Sequence, residues 1–265
     1  MLAAVRAQRP HVVVVFRPET VPAGLFEGLE AATLGFLTEP LPRAGNEAHP
    51  DLEWRLSELV LGDPHNFDRL VCFDPRSAPA ADAHARVWRS LPLPVDDRFF
   101  ARRRPLPGSP CVLFLGYSTA HRERFLMDVK HYHDVLHVAH GVSGEGLLDL
   151  FARTDVAINL HGHPYPTFEN RVCLHLAAGQ LVVSEPLHPT HGLEPGIDFL
   201  EVREPWQLQH AISAIRAAPE AYETVRRRGR RKAETYRASR VWPRLLGDLL
   251  LDLRAFGSSR TSAQE

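Results

Sequence analysis

The sequence predicts an α/β protein built from two doubly wound parallel-sheet domains. Three observations carry this expectation. Short, wholly apolar runs rich in β-branched residues recur along the chain. Stretches with helical spacing separate them, and one proline- and arginine-rich segment near the middle interrupts both patterns. A strand buried on both faces reads as a continuous apolar run rather than an alternating one, and strand–helix–strand repetition implies a parallel sheet. At 265 residues and 44% hydrophobic, the chain has enough apolar material for two domains of ordinary size.

A short helix at the start precedes the first apolar run, 11–16, which is bounded by Pro10 and by Arg17-Pro18. Runs of the same kind follow at 70–73, 111–115, 135–139, 156–160 and 181–184. Helical spacing covers 24–34, 52–61, 120–129, 145–153, 170–178, 206–217, 221–236 and 245–256, with Gly179 placed for a left-handed cap after the fifth. Between 90 and 110 the text changes to Leu91-Pro92-Leu93-Pro94, Arg102-Arg103-Arg104-Pro105 and Pro107-Gly108, the composition of a linker. The expected domains are therefore an N-terminal one at 1–97, complete or abbreviated, and a C-terminal one at 98–256. The closing helix is able to pack on either. The small polar tail 257–265 is expected to be disordered.

Thirty-one basic and 32 acidic residues give a net charge of -1, so no whole-molecule field favours nucleic acid. Cys72, Cys111 and Cys173 are far apart and set in apolar text, as buried thiols of a reducing compartment are. No signal peptide and no membrane span is legible, and the expected location is the cytoplasm.

In open α/β sheets, ligands bind beyond the carboxyl ends of the strands, so the loops leaving each apolar run are where chemistry is expected. After 111–115 comes Gly116-Tyr117-Ser118-Thr119-Ala120-His121-Arg122. Its glycine permits close backbone approach, and a helix start with basic side chains suits a phosphate; a plain capped helix is the competing reading. After 156–160 comes His161-Gly162-His163-Pro164-Tyr165-Pro166-Thr167-Phe168-Glu169-Asn170-Arg171, rich in donors for a diphosphate or sugar. After 181–184 come Glu185, His188 and His191, then a Pro195-Gly196 turn.

The order of Phe114-Leu115-Gly116, Asp155-Val156-Ala157-Ile158-Asn159-Leu160-His161, Asn170-Arg171-Val172, Leu176-Ala177-Ala178-Gly179, Leu193-Glu194-Pro195-Gly196 and the arginine-rich helix 226–236 resembles the C-terminal domain of group 1 glycosyltransferases. The similarity is to the spore-protein-like and spore-coat-maturation-like members and covers nearly half the chain. It implies a GT-B architecture, two Rossmann-like domains facing a cleft, with a nucleotide-sugar donor on the C-terminal domain and the acceptor on the other. It implies transfer of a sugar to an acceptor without a bound metal, the acceptor being a glycan, a lipid-linked molecule or a protein. Asn170 and Arg171 would contact the donor's phosphates or sugar, and His161 would reach the cleft. Gly116, Ser118, Arg122, Thr167, Glu169 and Glu185 complete the candidate donor site. Where such proteins carry a glutamate that contacts the ribose, this chain has Leu174, so Glu169 or Glu185 takes that contact or nucleotide binding is altered. The N-terminus also departs, opening on a helix rather than a strand and glycine-rich loop.

On the acceptor side, Glu39, Glu19 and His65 are candidates for a general base in an inverting enzyme, with Arg171 stabilising the leaving group. The histidines at 131, 133, 137, 140, 161 and 163 invite a metal reading, but no cysteine, carboxylate or helical pair completes a zinc set, and no metal is expected. The arginines at 226–231 read as a solvated helix face, with peripheral membrane contact as the alternative. Two other function classes compete: a non-catalytic module that binds a nucleotide sugar or glycan, and a nucleotide-sugar epimerase.

Overall fold

The computed structural model describes residues 2–43, 51–84, 86–101 and 108–260. In chain order the elements are α1 (Leu2–Gln8), β1 (Val12–Phe16), β2 (Ala32–Leu37), α2 (Leu52–Leu61), β3 (Arg69–Cys72), α3 (Ala78–Asp82) and β4 (Val87–Ser90). There follow β5 (Val112–Leu115), α4 (Ala120–Tyr132), β6 (Val135–Val138), α5 (Glu145–Ala152), β7 (Val156–Asn159) and α6 (Arg171–Ala177). The chain continues through β8 (Leu181–Ser184), β9 (Leu200–Glu201), α7 (Pro205–Ala217), α8 (Glu223–Ala233) and α9 (Ala238–Phe256). Contacts divide it into two units. Unit 1 takes the chain up to Leu93 and again from Val241, and unit 2 holds Pro94–Arg240.

Unit 1 is a four-stranded sheet in the order β1-β2-β3-β4, every pairing parallel. Two elements differ from expectation here. The helix expected at 24–34 is a run of turns, because Gly24 and Gly28 take positive φ values of 68° and 67° that a helix excludes. The missed strand β2 begins only at Ala32. Its Gly35 lies against the Leu70 and Pro18 side chains, which a β-carbon there would strike. The strand needs a residue that β-propensity disfavours, so its apolar text did not read as a strand. The short β4 and β9 were missed as well.

The C-terminal boundary also differs from the expected 98–256. From Val241 onward α9 belongs to unit 1. Leu245 and Leu249 are buried, Trp242 packs edge-on to Phe16 and Phe36, and Asp252 pairs with Arg69 at 2.6 Å. The beginning of the tail is not loose either. Ser258 bonds Asp68, as does Arg260 Nε at 3.1 Å, and Arg260 also donates to the main-chain oxygens of Phe26 and Ala31. A buried carboxylate at Asp68 requires such donors. Residues 261–265 of the expected disordered tail lie outside the described residues.

Unit 2 is a five-stranded sheet in the order β6-β5-β7-β8-β9, again wholly parallel. Its core joins Val112 and Phe114 of β5 and Val156 and Ile158 of β7 to Phe125, Leu126 and Val129 of α4 and Leu208, Ile212 and Ile215 of α7. Gly179 takes φ 76° after α6, the left-handed cap expected there. Among the described residues no helix is long and apolar enough to cross a membrane.

Candidate functional site

The strand order of unit 2 reverses between β5 and β7. From β5 the chain crosses to β6 on one side, and β7 and β8 then build on the other. The loops leaving β5 and β7 therefore diverge at the carboxyl edge, the position at which doubly wound sheets bind ligands.

The loop after β5 starts at Gly116, where φ is 147° and a β-carbon would stand 3.1 Å from Arg122 Nη1. Glycine is required there by conformation and by space. The Gly116 carbonyl accepts from His137 Nε2 at 2.8 Å, and His137 Nδ1 lies 3.1 Å from Lys130 Nζ. Thr119 caps α4, its hydroxyl accepting from the Arg122 amide at 3.2 Å. Ser118 is instead turned to the Glu123 carboxylate.

Arg122 is 7% exposed. Its Nε donates to the carbonyls of Leu160 and His161, both at 3.1 Å, and its Nη1 to that of Tyr117 at 3.0 Å. Burial, and then the charge of Arg171, push this guanidinium down to about 10. Arg171, the first residue of α6, donates through Nε to Asn159 Oδ1 at 3.0 Å and through Nη2 to the Leu160 carbonyl at 2.8 Å. Two guanidinia thus meet at the end of β7. Glu169 lies with them, 3.8 Å from Arg122 Nη2 and 3.5 Å from Arg171 Nη1.

A second buried cluster adjoins this one. Glu185, following β8, sits 2.8 Å from His121 Nε2 and accepts from the His161 amide at 2.7 Å. The ring of His161 is buried and its Nε2 donates to the Pro186 carbonyl at 2.9 Å. Nδ1 has no hydrogen-bond partner among the described residues. Burial holds this imidazole below its usual value, so it is neutral at pH 7 and offers a lone pair at Nδ1.

Of the candidate donor residues, Gly116, Arg122, His161, Glu169, Arg171 and Glu185 are tied together by these contacts. Thr167 is buried in the same loop, and Asn170 occupies the N-cap of α6 without a side-chain capping bond. That helix is seven residues long, shorter than expected, so positive charge here comes from the two arginines rather than from a helix terminus. Leu174 packs against Leu113, Phe151 and Ala178 in an apolar cluster, whereas Glu169 and Glu185 are engaged with Arg122, Arg171, His121 and the His161 amide.

His121, Asn159 and the Lys130–His137 pair stand outside the expected donor set. Only His121, next to Arg122 in a loaded loop, carried a legible signal. Among the described residues no group of three His, Cys, Asp or Glu could hold a metal ion. His133 is bonded to Ser213, His137 as above, and His140 stacks on Tyr117.

In unit 1, Glu39 follows β2 at its carboxyl end and lies 3.5 Å from Arg55. Glu19 follows β1, with a largely buried side chain paired to Arg17 at 2.9 Å. His65 leads into β3 instead of leaving a strand. It is bonded to Asp63 at 3.1 Å, and three residues on, Asp68 pairs with Thr33 near the start of β2. This places His65 toward the amino edge, away from the edge at which parallel sheets present their sites.

In three dimensions the chain is similar to HepE from Anabaena, solved with UDP-glucose, at 11% identity over 95% of this chain and 82% of that one, TM-score 0.65. It is similar to sucrose-phosphate synthase from Thermosynechococcus elongatus at 17% identity over 96% and 77%, TM-score 0.62. A glycosyltransferase from Rickettsia africae matches at 10% identity over 94% and 78%, TM-score 0.58. The fold is that of the GT-B glycosyltransferases. No family model and no curated protein matches the sequence, so the likeness to these structures is one of backbone fold. In GT-B terms, the arginine pair and the His121–Glu185 pair belong to the C-terminal Rossmann-like unit.

Proposed function

We propose that this protein is a glycosyltransferase moving a hexosyl group from a nucleotide sugar to a hydroxyl acceptor, without a bound metal. The observation that supports this most is the pairing of Arg122 and Arg171 at the β5/β7 reversal of a GT-B unit. Charge develops on the diphosphate as the glycosidic bond breaks. Two fixed guanidinia in a partly buried site stabilise it, the task a divalent cation performs elsewhere. Asn159 and the Leu160 carbonyl orient Arg171. Gly116 lets the β5 loop close on Arg122. HepE was solved with UDP-glucose, which makes UDP-sugars the first donors to try. Motif order favours the spore-coat-like branch of the family. Three free cysteines, two of them fully buried, fit work in the cytoplasm.

For an inverting reaction, the base is Glu39, at a carboxyl strand end and partly exposed, rather than the buried Glu19. The acceptor is a glycan, a lipid-linked molecule or a protein. Contact with a membrane surface would use the α8 arginines that have little acidic pairing, because Glu223 and Glu234 already hold Arg226 and Arg237 at 2.6 and 2.7 Å.

The test is a thermal-shift and calorimetric screen against UDP, GDP, dTDP and ADP sugars, with and without Mg²⁺, followed by turnover assays. Stabilisation by one nucleotide sugar irrespective of Mg²⁺ is expected, since a ligand that binds only the folded state raises its stability. A response that requires Mg²⁺ overturns the metal-free reading. A second reading, a non-catalytic binding module, is favoured by Leu174 in its apolar cluster and gives binding without turnover. Turnover without acceptor marks an epimerase.

A further inference from the structure

Arg122 and Arg171 are each anchored through two nitrogens, and in both the third points the same way. Arg122 spends Nε and Nη1 on the carbonyls of Leu160, His161 and Tyr117, and Arg171 spends Nε and Nη2 on Asn159 and Leu160. The remaining nitrogens, Arg122 Nη2 and Arg171 Nη1, face the two oxygens of one carboxylate, Oε1 and Oε2 of Glu169. A carboxylate bridging two guanidinia oxygen by oxygen has the geometry of a bound phosphate, whose non-bridging oxygens divide between two arginines in the same way.

Two features make the carboxylate, rather than either arginine, the group that yields. Glu169 is on a loop and its side chain is 26% exposed, against 8% and 18% for the arginines. The carboxylate is therefore the partner with water to move into. And the two guanidinia repel, as the lowering of the Arg122 value by Arg171 shows, so the site needs an anion whether or not a ligand is present.

We propose that Glu169 is the resident anion of this site: it holds the place of a donor phosphate, and a diphosphate binds by displacing it. The proposal rests on the donor-site reading above and adds a residue that sets affinity. A diphosphate brings at least two negative charges and outcompetes one carboxylate. Recapture of the arginines by Glu169 then weakens retention of the nucleoside diphosphate left after transfer. Because an equilibrium moves only by the difference in affinity between competing states, removing the competitor tightens binding.

The experiment measures binding of inorganic pyrophosphate and of UDP to the full chain by calorimetry, for the wild type, Glu169→Gln and Glu169→Asp. Thermal unfolding is recorded alongside. Glu169→Gln is expected to bind both probes at least fivefold more tightly, to unfold at a lower temperature without ligand, and to gain more than the wild type when pyrophosphate is added. Glu169→Asp, which keeps the charge, is expected to bind no more tightly than the wild type. Unchanged or weaker binding by Glu169→Gln, with a wild type that binds, overturns the proposal and leaves the donor site standing. Equal tightening by Gln and Asp also overturns it, because charge would not be the cause. Binding by Glu169→Gln alone supports it, and binding by none of the three removes the donor-site reading and this inference together.

Discussion

Arg171 Nη2 donates to the main-chain oxygen of Leu160 at 2.8 Å, tying the first residue of α6 to the end of β7. The same oxygen receives Arg122 Nε, so one carbonyl fixes both cations of the site. Arg171→Ala is expected to weaken nucleotide-sugar binding at least tenfold and to lower turnover further, because charge on the leaving group grows toward the transition state. Unchanged affinity and turnover in a steady-state comparison would remove Arg171 from the donor site.

Arg122→Met carries a different cost. The carbonyls of Tyr117 and His161 lose their donor while that of Leu160 keeps Arg171 Nη2, and leaving buried polar groups unsatisfied costs roughly 1–3 kcal/mol each before relaxation and water entry. A loss of about 3 kcal/mol in urea unfolding is expected; a loss under about 1 kcal/mol means that the carbonyls find other partners.

Gly116→Ala combines a backbone penalty with a steric one. With φ at 147° and the Arg122 guanidinium 3.1 Å from the new β-carbon, about 1–3 kcal/mol of destabilisation is expected. Donor binding weakens in parallel, since Arg122 is the atom group that must shift. A variant of wild-type melting temperature and affinity contradicts this.

His175 governs an acid dependence. It is a wholly buried residue of α6, bonded to Gln180 through Nδ1, and burial pushes it down to about 4. The unfolded chain takes up the proton near pH 6.5 and the folded chain only near 4. Stability is therefore complete above pH 6.5 and falls as pH drops toward 4, by roughly 3 kcal/mol over that interval. His175→Leu is expected to start less stable, because Gln180 loses its partner, but to show a flatter slope of urea midpoint against pH between 7 and 4.5. An identical slope assigns the acid sensitivity elsewhere.

Glu39→Gln is expected to lower kcat by about 10²–10⁴ in an inverting enzyme, the usual contribution of a positioned base, while donor binding is unchanged. Unaltered kcat excludes Glu39 as the base.

Strands β5 to β8 of unit 2 were legible because each is a mainly apolar run, unlike the two-residue β9, and the loops at their carboxyl ends because their polar text breaks abruptly from such runs. Strand β2 was not, since Gly35 answers a contact with Leu70 and Pro18 that no local pattern records. Nor was the Asp68–Arg260 bond, which joins residues far apart in the chain.

By itself the sequence determined the α/β class, the parallel sheet of unit 2, the cap at Gly179 and the loops that carry charge, all consequences of spacing along a few residues. Only the tertiary structure decided that α9 completes unit 1, that the strand order reverses between β5 and β7, and that Arg122, Glu169 and Arg171 share one place. These depend on which strand ends become neighbours when the sheet closes, and hydrophobic periodicity constrains the face a residue occupies without fixing the strand beside it.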